Sequence, residues 1–190
     1  MLFNLLKQDL LTTIETYLAL SLAIALPATI LITIVQEVLH LNRSRTAGRK
    51  LIRAVVLFLF LLYLCMVLFL VYLSREDGSR GIVRQFTLGI LNDDIYLRSY
   101  AYENILLFIP FGFLLPALFR RFRNVFLTFF TALITSACIE YAQYVTKRGF
   151  VDPDDILNNV AGTVAGWIAF TFFHACITAI RAWIRRRKQQ

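Results

Sequence analysis

Five apolar runs, each near the length that spans a bilayer, constrain this chain more than any other feature. They cover Tyr17–Leu39, Leu51–Leu73, Tyr100–Phe119, Val125–Val145 and Ile156–Ile180. A helix of about 20 apolar residues crosses a hydrocarbon layer roughly 30 Å thick. The runs occupy so much of the 190 residues that no separate soluble domain fits beside them. Composition agrees, with 58% hydrophobic and 17% charged residues, where a soluble domain has about 25% charged. The sequence therefore predicts an all-α integral membrane protein, a multi-pass bundle of about five transmembrane helices. The first run is too long for a signal-peptide core, and Lys7 before it is matched by Asp9 and Glu15. It reads as a retained helix.

The basic residues select an orientation. Arg43, Arg45, Arg49, Lys50 and Arg53 form one block, Arg120, Arg121 and Arg123 a second, and Arg181 with Arg185 to Lys188 a third. Five spans put all three on one side, with Glu37 as the one acid there. By the positive-inside rule the N-terminus is outside and the C-terminus cytoplasmic. The net charge of +8 is thus explained by topology and anionic-lipid contact. It gives no stripe for nucleic acid, whose recognition also needs base-reading or stacking elements.

Within a single domain, residues 1–99 hold two helices and an outer amphipathic loop, 100–180 hold three helices, and 181–190 form a basic tail. In the outer loop Ile82, Val83, Phe86, Ile90 and Leu91 recur near helical spacing, which suggests a short helix on the surface. The third span is the least regular. From Asn104 to Phe119 it measures about 24 Å, and Pro110 and Pro116 interrupt it. A kinked full span beginning near Tyr100 fits the charge rule; a re-entrant segment is the alternative. Cys65, Cys138 and Cys176 each lie in an apolar run and read as buried thiols, not as disulfides or metal ligands.

A few polar residues do not belong in lipid. Glu140 sits about 9 Å inside the outer end of the fourth span, so it should face the bundle with a partner or a function. Ala132, Ser136, Glu140 and Gln143 or Tyr144 share one face of that helix, while Asp155, Asn158, Asn159, Gly162 and Gly166 follow each other on the fifth. Because these two helices are consecutive, Gly162 is expected opposite Glu140, leaving room for its side chain. Packing alone also explains the two glycines. Asp152 and Pro153 read as N-cap and first helical residue. Capping leaves Asp154, Asp155, Asn158 and Asn159 without a full explanation, and Arg148 is the nearby cation for Glu140, Asp152 or Asp155. Glu140, Asp152 and Asp155 offer oxygens for a divalent ion, though residue type alone assigns no metal. His40 and His174 lie away from the acidic residues, and zinc-protease, P-loop and nucleophile-elbow motifs are missing.

The block Glu103-Asn104-Ile105-Leu106-Leu107-Phe108-Ile109-Pro110-Phe111-Gly112-Phe113-Leu114-Leu115-Pro116, followed by Glu140, Gln143, Arg148, Asp152, Asp155, Asn158, Gly162 and Gly166 at matching spacing, resembles the VanZ-like membrane protein family. The resemblance covers about residues 100–170; the first two spans match only in hydrophobicity. It implies a bacterial plasma-membrane protein of the cell envelope, associated in glycopeptide-resistance loci with lowered susceptibility to teicoplanin. It supplies no established reaction and names no cofactor. The residues it carries over are Asn104, Glu140, Gln143, Arg148, Asp152, Asp155, Asn158 and Gly162. The expected partners are membrane lipids and either a lipoglycopeptide or a lipid-linked peptidoglycan precursor. Three functions follow as expectations. The first is a factor limiting drug access at the outer leaflet, with Asn104, Gln143, Asp152, Asn158 and Gly162 lining the site. The second is an acid–base enzyme using Glu140 or Asp155, with Arg148 steadying an anionic headgroup. The third, a transporter, is disfavoured by the lack of an internal repeat.

Overall fold

The computed structural model describes residues 2–39, 41, 46–72, 79–82 and 89–189. Five helices follow one another: α1 (Leu2–Val38), α2 (Ala47–Tyr72), α3 (Ile95–Leu118), α4 (Val125–Thr146) and α5 (Pro153–Arg187). Each is long and apolar enough to cross a membrane. The described chain is otherwise two four-residue strands, β1 (Ser79–Ile82) and β2 (Arg148–Val151), short 3-10 turns at Gly89–Leu91 and Arg120–Arg123, and connecting residues.

The helices start and stop where caps allow, not where hydropathy changes. α1 begins at Leu2, well before Tyr17, and α5 runs on to Arg187 past Ile180. Lipid demands the apolar stretch, but polar helix formers on either side extend the same hydrogen-bond ladder. α3 starts at Ile95 because the Asp94 carboxylate accepts the Tyr96 N–H at 2.8 Å. Its 24 residues give about 36 Å, one unbroken helix long enough for a full crossing, which does not double back as a re-entrant segment would. Pro110 and Pro116 are accommodated inside this one helix. Asn124 caps α4 through the N–H groups of Phe126 and Leu127, and Lys147 ends it in the left-handed region at φ 58°.

The bundle is apolar without, and within it buries polar as well as apolar residues. Phe126, Phe172 and Leu31 project outward, while Ser136, Glu140, Gln143, Asn159 and Thr163 are buried. Phe108, Phe111 and Leu115 of α3 form the core with Ala132 of α4 and Val160 of α5. The cysteines are not core residues: Cys138 and Cys176 lie on the outer surface and Cys65 is half-buried.

The small residues join α5 to α3, which corrects the expected pairing of Gly162 with Glu140 on α4. A Cβ at Gly162 would run into the Ile105 carbonyl oxygen, and one at Gly166 into that of Ile109. Gly112 of α3 reciprocates against the Thr163 carbonyl. Helix backbones touch at these three points, where no side chain has room.

β1 and β2 pair in parallel, from Ser79 opposite Arg148 to Ile82 opposite Val151. This ribbon brings the end of α2 and the start of α3 to the same end of the bundle as the α4–α5 connection. In the expected surface helix, residues 83–88 lie outside the described residues; the flanks are β1 and the 3-10 turn. At the opposite end α1 meets α2, where Lys50 and Glu37 form an ion pair at 2.6 Å. The Arg120–Arg123 turn lies there too, its Phe122 carbonyl accepting from Thr128 at 2.6 Å and Trp167 at 3.2 Å.

Candidate functional site

The polar residues singled out above converge at the ribbon end. Glu140, 3% exposed, lies on α4 about two turns before its C-cap. Its Oε2 accepts the backbone N–H of Asp152 at 2.9 Å. Asp152 in turn accepts the N–H of Asp154 at 2.9 Å and so caps α5. Two carboxylates from different helices thus stand at the α5 N-terminus, where the macrodipole favours negative charge. Burial pushes the Asp152 carboxyl above its usual range; the Asp154 N–H opposes that shift and the Asp154 charge adds to it.

The remaining groups tie neighbouring helices together. Asn104 of α3 donates to Asp155 of α5 at 2.5 Å. Arg148 donates to the carbonyl of Tyr72, the last residue of α2, at 2.9 Å. A guanidinium there satisfies a carbonyl that the helix itself leaves open. Gln143 reaches the adjacent Val71 carbonyl at 3.4 Å, a distance that makes this bond weak. Glu140, Asp152, Asp155, Asn104, Gln143 and Arg148 therefore form one polar layer across α2, α3, α4 and α5. Gly162 serves the α3–α5 contact beneath it. Asn158 is half-buried and makes no side-chain hydrogen bond among the described residues.

Two further residues belong to the layer. Asn159 donates to Ser136 at 2.8 Å in a fully buried α5–α4 bond. Its Oδ1 is buried without a hydrogen-bond partner among the described residues, a costly state that a bound water or ligand polar group would relieve. Asp154 is also buried. Helical spacing contains the signal for Asn159, which follows Asp155 by one turn and faces the same way. No three of the described carboxylates, histidines or cysteines form a group that could hold an ion, so Glu140, Asp152 and Asp155 do not assemble into a divalent cage.

Five apolar helices around a buried polar layer define a multi-pass membrane protein. The sequence pattern of the VanZ/LLP1 family matches residues 55–174, well over half of the chain. The chain belongs to the VanZ/LLP1 family. The match begins within α2, so this helix is part of the family pattern and not merely a hydrophobic segment. Its end is where Arg148 and Gln143 bind. Comparison with curated proteins and with solved structures finds no match.

Proposed function

We propose that this protein acts in the bacterial plasma membrane, with its ribbon end at the outer leaflet, to lower susceptibility to teicoplanin-type lipoglycopeptides by limiting drug access or binding at the cell surface. The observation carrying this reading is the buried Glu140 layer, built from residues that match the family pattern. The charge distribution supports its placement outside, since the arginine blocks gather at the other end. Among the described residues, Asn158 and the Asn159 side-chain carbonyl offer polar groups to a ligand there.

The test is Glu140→Gln, with drug susceptibility and labelled-lipoglycopeptide binding measured on intact cells at matched membrane levels. The amide oxygen of Gln still accepts the Asp152 N–H, so the fold should survive while the charge is lost. Loss of protection in a folded variant supports a working carboxylate. Full protection removes Glu140 from function and leaves it as a helix clamp.

A second reading is an intramembrane acid–base enzyme acting on a lipid-linked wall precursor, with Glu140 or Asp155 transferring the proton and Arg148 steadying the headgroup. The raised Asp152 carboxyl beside Glu140 favours it, because carboxylates in unlike environments suit proton transfer. A precursor of changed mass in expressing cells supports this reading. Unchanged precursors with reduced drug labelling favour the first.

A further inference from the structure

A cavity of about 540 Å³ opens at the end of the bundle away from Glu140. Arg49 and Arg53 of α2, Arg120 and Arg123 of the 3-10 turn, and Arg181 of α5 line it. Among the described residues no carboxylate contributes to the lining, and nearby Glu37 is held by Lys50 at 2.6 Å. Guanidiniums cannot lose their charge at any working pH. Bringing five around one space therefore calls for an anion, the more so at a membrane boundary where water screens less. Two of them are already positioned: Arg123 lies over the Phe170 ring at 5.8 Å, and Arg53 reaches the Leu118 carbonyl at 3.4 Å.

The rest of the wall is apolar. Ile52, Val56, Ala117 and Leu118 contribute to it, and exposed His174 lines it beside them. His174 precedes Arg181 by two turns of α5, about 10 Å along the helix axis toward the other end. Arginines beside an open apolar wall, where Ile52 is 60% exposed, match an amphiphile with an anionic head. The planar guanidinium fork matches the oxygens of a phosphate group, and the volume is within the range of small-molecule sites.

We propose that this cavity binds the phosphate group of an anionic amphiphile, its headgroup among the arginines and its chain along Ile52, Val56 and Leu118. The site is independent of the Glu140 layer, and its existence does not require the resistance reading.

The experiment uses the full chain in neutral detergent. Melting temperature and retained lipid, counted by native mass spectrometry, are measured with phosphatidylglycerol, phosphatidylcholine or inorganic phosphate. Phosphatidylglycerol should raise the melting temperature where phosphatidylcholine does not. The triple variant Arg53→Gln, Arg123→Gln, Arg181→Gln should lose roughly tenfold or more in affinity, as each charge-assisted bond contributes about a decade. Removing equal charge from the tail, by Arg185→Gln, Arg186→Gln and Lys188→Gln, should change affinity less than about twofold. Equal protection by inorganic phosphate would support the phosphate site but overturn its assignment to an amphiphile. Unaltered phosphatidylglycerol binding in the cavity variant, or no preference over phosphatidylcholine with phosphate inert, would overturn the proposal. Should the Gln variant fail to fold, the corresponding Arg→Lys variant decides. It keeps the charge and loses the fork, so undiminished binding there would reject the guanidinium–phosphate assignment.

Discussion

A carboxylate buried in a membrane bundle has to be held by something, and Glu140 is held by the backbone of the next helix. Glu140→Ala would leave the Asp152 N–H without its acceptor, at a cost of about 1–3 kcal/mol. The expected result is a lower melting temperature in detergent for Ala and near-parental stability for Gln; equal stability of all three proteins would mean that the bond contributes nothing. Arg148→Ala should loosen the end of α2, which loses the donor on the Tyr72 carbonyl. Adding Glu140→Gln should not repair this, because it supplies no donor to the Tyr72 carbonyl. Asp152 makes stability depend on pH. Its carboxyl is raised in the fold above its ordinary 3.8, so the favourable contribution of its protonated form is complete below that value. The contribution is lost as pH rises through the folded value. Asp152→Asn keeps the cap acceptor but cannot ionise. Its melting temperature relative to the parent should therefore increase as pH rises from below 3.8 through the folded value, and a constant difference would contradict the assignment.

At the scale of elements, the α3–α5 seam is the contact least able to tolerate added atoms. Gly162→Leu puts a side chain where the Ile105 carbonyl stands and should cost more than the roughly 1–3 kcal/mol of ordinary overpacking, read as loss of monodisperse protein in detergent. Gly112→Ala and Gly166→Ala should act the same way through Thr163 and Ile109. Gly48 is the control: nothing lies within 4 Å of a Cβ there, so Gly48→Ala should be neutral or slightly stabilising. A folded, parent-like Gly162→Leu would show that these helices do not meet at this seam. Hydropathy made the five helices legible, since the need for about 20 apolar residues is written directly in composition. It could not show which helix faced the glycine stripe. Consecutive position pointed to α4, whereas the rotation of α5 about its axis turns Gly162 and Gly166 toward α3. Glu140 was legible as an ionisable group inside a span. Its acceptor role was not, because a backbone N–H has no sequence signature. Four-residue strands were equally hidden, being too short for an alternating pattern to stand out.

For the whole molecule, the separation of charged ends predicts topology. The arginine-lined cavity and the Glu140 layer lie at opposite ends, so a reporter fused after Gln190 should be active in the cytoplasm and one before Met1 outside. A C-terminal reporter active only outside would invert the molecule and move the Glu140 layer to the inner leaflet. The β1–β2 ribbon bears on how such a molecule is made. β1 leaves the ribosome about 70 residues before its partner, roughly 3–14 s earlier at typical rates of synthesis. Throughout that interval its backbone groups lack the contacts they have in the finished protein, and two further helices must be inserted before β2 appears. Parallel pairing then requires both connections to emerge on the same face. A ribosome-tethered intermediate stopped before Arg148 would therefore lack the ribbon, which closes only after α4 has crossed the bilayer in the correct direction.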